Sequence, residues 1–228
     1  MVLKRLLILA LSFLLLCPVS GAADAGIGAG TVALTFDDGP SGRFTRALLE
    51  GLEQRQVKAT FLLCGYRLKD YPKEARQILE QGHEIGLHGY SHDPMKQMSR
   101  QVLERELTDN LKLLPQGCQP VFLRPPGGAC SDTVRSVARD MGLGILQWSV
   151  DPKDWATRDV VAITTMVLDN VKDGDVILLH DMTDSSVEAA LEIIDRLRTQ
   201  GFHFVTVSEL ARLKGVTIEP GKEYYRFS

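Results

Sequence analysis

Short apolar runs alternate with amphipathic stretches along almost the whole chain from Thr31 onward, and no other feature restricts its fold so tightly. Runs rich in β-branched and aliphatic residues at 31–36, 58–63, 83–87, 119–124, 143–149, 175–179 and 202–207 read as buried strands. The spacing between them predicts helices at about 42–56, 72–81, 99–114, 131–141, 158–172 and 185–200, with a last one near 208–213. Ser131-Asp132 and Ser185-Ser186 are expected N-caps, and Gly82, Gly142 and Gly201 stand where helices should end. Uninterrupted strand–helix alternation requires crossover connections and therefore a parallel sheet. Seven strands in one α/β domain predict a barrel or a nearly closed one, with an open doubly wound sheet as the alternative.

The chain's first residues carry a different pattern. Lys4 and Arg5 precede an uncharged apolar stretch from Leu6 to Cys17, followed by Ser20, Gly21, Ala22 and Ala23. That order predicts a secretory signal peptide at 1–23, cleaved after Ala22 or Ala23, and hence a secreted, periplasmic or cell-envelope protein. An uncleaved anchor is the alternative, and the membrane would then be met only through this segment. Residues 24–228 keep 24 basic against 29 acidic side chains. That mildly anionic balance argues against a nucleic-acid surface, which would need a basic footprint. Cys64, Cys118 and Cys130 remain, an odd number: Cys64 ends an apolar run and reads as a buried hydrophobe, whereas Cys118 and Cys130 flank a predicted strand and are candidates for pairing.

The polar clusters sit at strand ends. Asp37 and Asp38 follow the first strand, His88 and His92 the third, Arg124 the fourth, Asp151 and Asp154 the fifth, and His180 the sixth. All fall at the C-terminal edge, where parallel sheets and barrels build their sites, whereas incidental surface polars would fall at both edges. Adjacent carboxylates such as Asp37 and Asp38 raise each other's pKa unless a cation lies beside them. His88 and His92 have HxxxH spacing, which on one helical turn directs both imidazoles to the same side. With one carboxylate they form a two-His, one-carboxylate set suited to Zn²⁺ or a related divalent ion. Arg124 is placed to hold a carboxylate, and Gly127 to bring a backbone N–H close to a ligand. Trp155 either walls an apolar recess or packs on the rim. His83 and His203, inside strand patterns, read as structural.

Taken together, TFDDGP at 35–40, HGYSH at 88–92, RPPGG at 124–128, DPKDW at 151–155 and LLH at 178–180 resemble the five ordered motifs of the polysaccharide deacetylases (carbohydrate esterase family 4, NodB homology domain). The resemblance spans roughly residues 30–213. It implies a distorted (β/α) barrel of about seven strands and metal-dependent hydrolysis of N-acetyl, sometimes O-acetyl, groups on a polysaccharide such as peptidoglycan, a chitin-like polymer or xylan. Asp37 matches the general base, Asp38, His88 and His92 the ligands of one divalent ion, Zn²⁺ or else Co²⁺. Arg124 matches the residue that steadies the base, Asp154 the acid that tunes the catalytic histidine, and His180 the general acid. Trp155 and Leu178 match the walls of the acetyl pocket, and the Gly127 N–H the oxyanion donor. The pattern departs from the family at Gly127, where many members carry an aromatic residue, at Gly89, which replaces a Ser or Thr, and at Leu87, which replaces an Asn. A hydrolase of small cyclic amides or imides and a non-catalytic carbohydrate-binding module are the alternatives.

Overall fold

The structure, a computed structural model, describes residues 29–228; the expected signal segment lies outside the described residues. Among the described residues there are eight strands, one more than the sequence pattern predicts: β1 (Gly30–Asp37), β2 (Thr60–Leu63), β3 (Glu84–Leu87), β4 (Phe122–Leu123), β5 (Gly144–Leu146), β6 (Val176–His180), β7 (Phe202–Phe204) and β8 (Glu223–Tyr224). The sheet runs β6-β1-β2-β3-β4-β5-β8, β7 pairs with β1, and every ladder between these strands is parallel. Eight helices connect them: α1 (Arg43–Gln54), α2 (Gly65–Asp70), α3 (Pro72–Glu80), α4 (Arg100–Leu111), α5 (Asp132–Asp140), α6 (Val160–Asn170), α7 (Asp184–Thr199) and α8 (Val207–Leu213).

This is the expected distorted barrel, and its distortion has a visible cause. After β5 the chain forms no ladder with β6 but a short contact at Ser149 and Val150, with an isolated bridge from Val150 to Ile177 where Leu178 N–H donates to the Val150 carbonyl at 2.9 Å. At the opposite end of this seam, β8 fills the gap: it pairs with β5, and Phe227 N–H donates to the Gly174 carbonyl at 2.8 Å. Strand alternation sorts the core into layers. Val32, Leu34 and Phe36 pack outward against the helices, in one cluster with Leu48, Leu52, Ile193 and Ile194. Ala33 points inward with Leu62, Phe122, Leu146 and Val176, closed at one end by Val207 and Leu210 of α8 and by Phe227. Thr35 and Asp37 continue that inward row toward the other end.

Local signals hold in most places. Ser131 caps α5 by accepting from Val134 N–H, and Gly82, Gly142 and Gly201 all adopt the positive φ of helix ends. The cap of α7 is Thr183, which accepts from Ser186 N–H, so the expected Ser185-Ser186 cap starts the helix too late; Asp184 already takes a helical position. The expected helical turn at 88–92 is also corrected. Gly89 and His92 have φ of 80° and 69°, which breaks any helix, and the Gly89 and Tyr90 carbonyls accept from Gly65 N–H and Tyr66 N–H instead. Cys118 and Cys130 are free thiols that pack against different apolar clusters, and Cys64 is buried as expected. His83 is buried, its Nδ1 accepting from Ala59 N–H, whereas His203 is exposed on β7.

Candidate active site

Asp37 closes β1, and the parallel register places it opposite His180 of β6 and Leu62 of β2. Consecutive strand residues face opposite sides, so two adjacent aspartates need a turn to reach one cavity. Asp38 supplies it with φ 71°. Gly39 then packs on the buried Asp181, where an added Cβ would come within 2.5 Å of Asp181 Oδ1. Asp181 accepts from Thr45 Oγ1, and burial raises its carboxyl to about 6.

His88 leaves β3 with its side chain only 2% exposed. Its Nδ1 lies 2.7 Å from the Arg124 carbonyl. A carbonyl only accepts, so Nδ1 carries the hydrogen and Nε2 keeps its lone pair, the arrangement a metal-binding imidazole needs. That Nε2 lies 3.3 Å from Asp38 Oδ1, and His92 Nε2 lies 3.0 Å from the same oxygen. Asp38 Oδ1 is buried yet makes no hydrogen bond of acceptable geometry. Burial works against charge on Asp38, but the two imidazoles outweigh it and hold the carboxyl well below the usual range; contact with Asp38 raises His92 in turn. Ligand atoms of Asp38, His88 and His92 all lie within 4.8 Å of one another. An orphaned carboxylate oxygen facing two imidazole nitrogens is what a divalent ion with nitrogen and oxygen donors would satisfy.

Behind this trio lies Arg124, completely buried just after β4. Its Nη1 donates to Asp37 Oδ1 at 2.6 Å and to Thr35 Oγ1 at 2.9 Å, Nη2 to the Gln147 carbonyl at 2.8 Å, and Nε to the Leu146 carbonyl at 3.2 Å. Burial lowers the guanidinium's pKa and the Asp37 carboxylate opposes the fall. A buried ion pair costs desolvation, and these extra bonds are what offset it. His180 has the parallel arrangement: Nδ1 donates to Asp154 Oδ1 at 2.8 Å, while Asp154 Oδ2 accepts His180 N–H at 2.9 Å. Asp154 is fully buried. Burial disfavours a charged His180, yet the Asp154 carboxylate prevails and raises the ring to about 9.

Of the ten residues expected from sequence, eight line one cavity of about 430 Å³: Asp37, Asp38, His88, His92, Gly127, Trp155, Leu178 and His180. Arg124 and Asp154 stand behind it, each fixing one cavity residue. Trp155 is 60% exposed and so forms rim as well as wall. At Gly127, with φ 64°, an added Cβ would meet nothing within 4 Å, so the cavity is open on that side. Two lining residues escaped the sequence reading of the site. The apolar pattern puts Trp148 in a strand at 143–149, but β5 ends at Leu146, and the Trp148 ring rests on Gly128, where a Cβ would come within 2.7 Å of it. Asp151, noted only as one of two acids after the fifth strand, also lines the cavity and accepts from Lys153 N–H. Their shared strand end was the available signal for both.

The profile of the family described as polysaccharide deacetylase matches residues 26–146. A peptidoglycan-N-acetylglucosamine deacetylase of Bacillus cereus is 39% identical over 80% of this chain and 89% of its own length. Among solved structures, a family 4 acetyl xylan esterase from Clostridium thermocellum in complex with a cobalt ion superposes with a TM-score of 0.80 at 34% identity, over 86% of this chain and 98% of that one. The peptidoglycan deacetylase PdaC from Bacillus subtilis superposes with a TM-score of 0.78 at 35% identity, over 84% of this chain and 94% of that one. With the barrel and the strand-end cluster, these likenesses place the chain in the polysaccharide deacetylase family, hydrolases that remove acetyl groups from acetylated polysaccharides.

Proposed function

We propose that this protein is an exported, divalent-metal-dependent deacetylase of N-acetylated cell-wall glycan, with peptidoglycan the first candidate substrate. The observation that carries the reading is the convergence of three units on one cavity: the Asp38-His88-His92 trio, the Arg124-Asp37 pair and the Asp154-His180 pair. The near full-length likeness to the Bacillus cereus enzyme supports peptidoglycan, and the cobalt ion in the Clostridium thermocellum structure supports a divalent ion. Zn²⁺ is the ion we expect, with Co²⁺ as a substitute. The signal pattern at 1–23 supports export.

When bound by Asp38, His88 and His92, the ion supplies Lewis-acid polarisation of the acetyl carbonyl. Asp37, held in place by the Arg124 guanidinium, takes a proton from the attacking water as general base. Leu178 and Trp155 enclose the acetyl methyl, and the Gly127 N–H serves the developing oxyanion. His180, oriented by Asp154 and protonated near neutral pH, gives its proton to the departing sugar amine. Acetate and a free amino sugar are the products.

An acetate-release assay on peptidoglycan, chitooligosaccharide and acetylated xylan, with and without chelator and with added Zn²⁺ or Co²⁺, tests the reading. Acetate should be released fastest from peptidoglycan, release should stop with chelator and return with metal. Glycan binding without acetate release under every metal condition would overturn it in favour of a carbohydrate-binding module.

A further inference from the structure

His88 and His92 are held in place by different means. The His88 ring is buried and hydrogen-bonded through Nδ1 to the Arg124 carbonyl. The His92 side chain is 43% exposed, with its Nε2 3.0 Å from Asp38 Oδ1. Its backbone sits at φ 69°, a conformation that non-glycine residues avoid without outside support. The orientation of His92 must therefore come from the loop around it. On the near side, Gly65 N–H and Tyr66 N–H of α2 donate to the Gly89 and Tyr90 carbonyls at 2.9 and 3.0 Å. On the far side stands Glu106 of α4, whose Oε1 accepts from Ser91 N–H at 2.8 Å and also from Ser91 Oγ. Ser91 Oγ in turn accepts Asp93 N–H at 3.1 Å. The carboxylate thus ties down Ser91 directly, and Asp93 only through the Ser91 hydroxyl.

Among the described residues, no other group bonds to that carboxylate. Glu106 has no lysine or arginine within ion-pair distance among the described residues, whereas Glu104, on the same helix, pairs with Arg100 at 2.7 Å. Helix α4 is itself a firm anchor, because Leu103 and Leu107 are buried in one cluster with Leu87 and Met95, which flank the loop. Ser91 is the only serine or threonine between His88 and His92, Gly89 offering no side chain to brace the turn from within.

We infer that Glu106 is a positioning residue of the proposed metal site, acting through Ser91 to hold His92 on its partner oxygen. The inference rests on Asp38, His88 and His92 being ligands. Groups hydrogen-bonded directly to a metal ligand are worth about 10–100-fold in metal affinity, and Glu106, which acts through Ser91, stands one residue further out. The experiment is a titration of the metal-free protein with Co²⁺ and, by chelator competition, with Zn²⁺, for wild type, Glu106→Ala, Glu106→Gln, Ser91→Ala and the control Glu104→Ala. Glu106→Ala should weaken both ions by about 10-fold, the low end of that range. Glu106→Gln keeps an acceptor for Ser91 N–H and should recover much of the loss. Ser91→Ala leaves α4 untouched and should weaken binding by a smaller factor, while Glu104→Ala should match wild type. Urea midpoints of the metal-free variants separate a local effect from a general loss of stability.

Wild-type affinity in Glu106→Ala or, should that variant not fold, in Ser91→Ala would overturn the role of Glu106 and leave the proposed function standing. Failure of the wild-type protein to bind either ion would instead remove the metal reading together with the inference built on it.

Discussion

His180 shows how one neighbour decides what a side chain does. Its ring is driven up to about 9 from the ordinary 6.5 because the Asp154 carboxylate outweighs burial. A raised histidine contributes stability that is fully present below about 6.5 and is lost as the pH climbs through about 9. The same shift keeps the proposed proton donor charged across the neutral range. In Asp154→Asn the carboxylate is gone, so the basic limb of the kcat–pH profile should move toward neutral pH and kcat should fall by at least about 10-fold. Profiles of both proteins from pH 6 to 10 test this, and an unmoved basic limb would contradict it. Asp37, Asp38, His88, His92, Arg124, Asp154 and His180 were legible in the sequence because each directly leaves a strand or lies in the loop after one. Glu106 was not, since a lone acid in an amphipathic helix carries no sign of what its carboxylate reaches.

At the scale of elements, the apolar run at 31–36 became β1, the longest strand among the described residues, buried from Val32 to Asp37 and ending at the candidate site. By contrast, β8 is two residues with no period to detect, yet it seals the seam between β5 and β6. The weak point of that seam is Gly174, whose φ is 84° and where an added Cβ would lie 1.7 Å from the Phe227 carbonyl oxygen. Gly174→Ala should lift residues 223–227 from the barrel and cost at least about 1–3 kcal/mol, from overpacking and left-handed strain together. A lower urea midpoint and faster proteolysis near the C-terminus would register the change; a midpoint equal to wild type would show that the seam contributes little. The loop at 88–92 carries a related lesson. HxxxH spacing is compatible with a helical turn, but Gly89 permits a left-handed turn that delivers both imidazoles without one. Spacing alone therefore identified the pair and not the geometry that joins it.

Over the whole molecule, the barrel brings residues separated by more than a hundred positions to one mouth, as the register pairing of Asp37 with His180 makes plain. Only long-range pairing can do this, which is why no single motif discloses the site while their common strand edge does. The most direct measurement of the account compares acetate release with bound metal in wild type and Asp37→Asn, both loaded with Zn²⁺ and assayed on the glycan that wild type deacetylates. The account predicts that Asp37→Asn retains about one ion per chain while its rate falls by about 10²–10⁴-fold, as loss of a general base would dictate. Undiminished acetate release from the variant would contradict the role given to Asp37 and with it the proposed chemistry of the site.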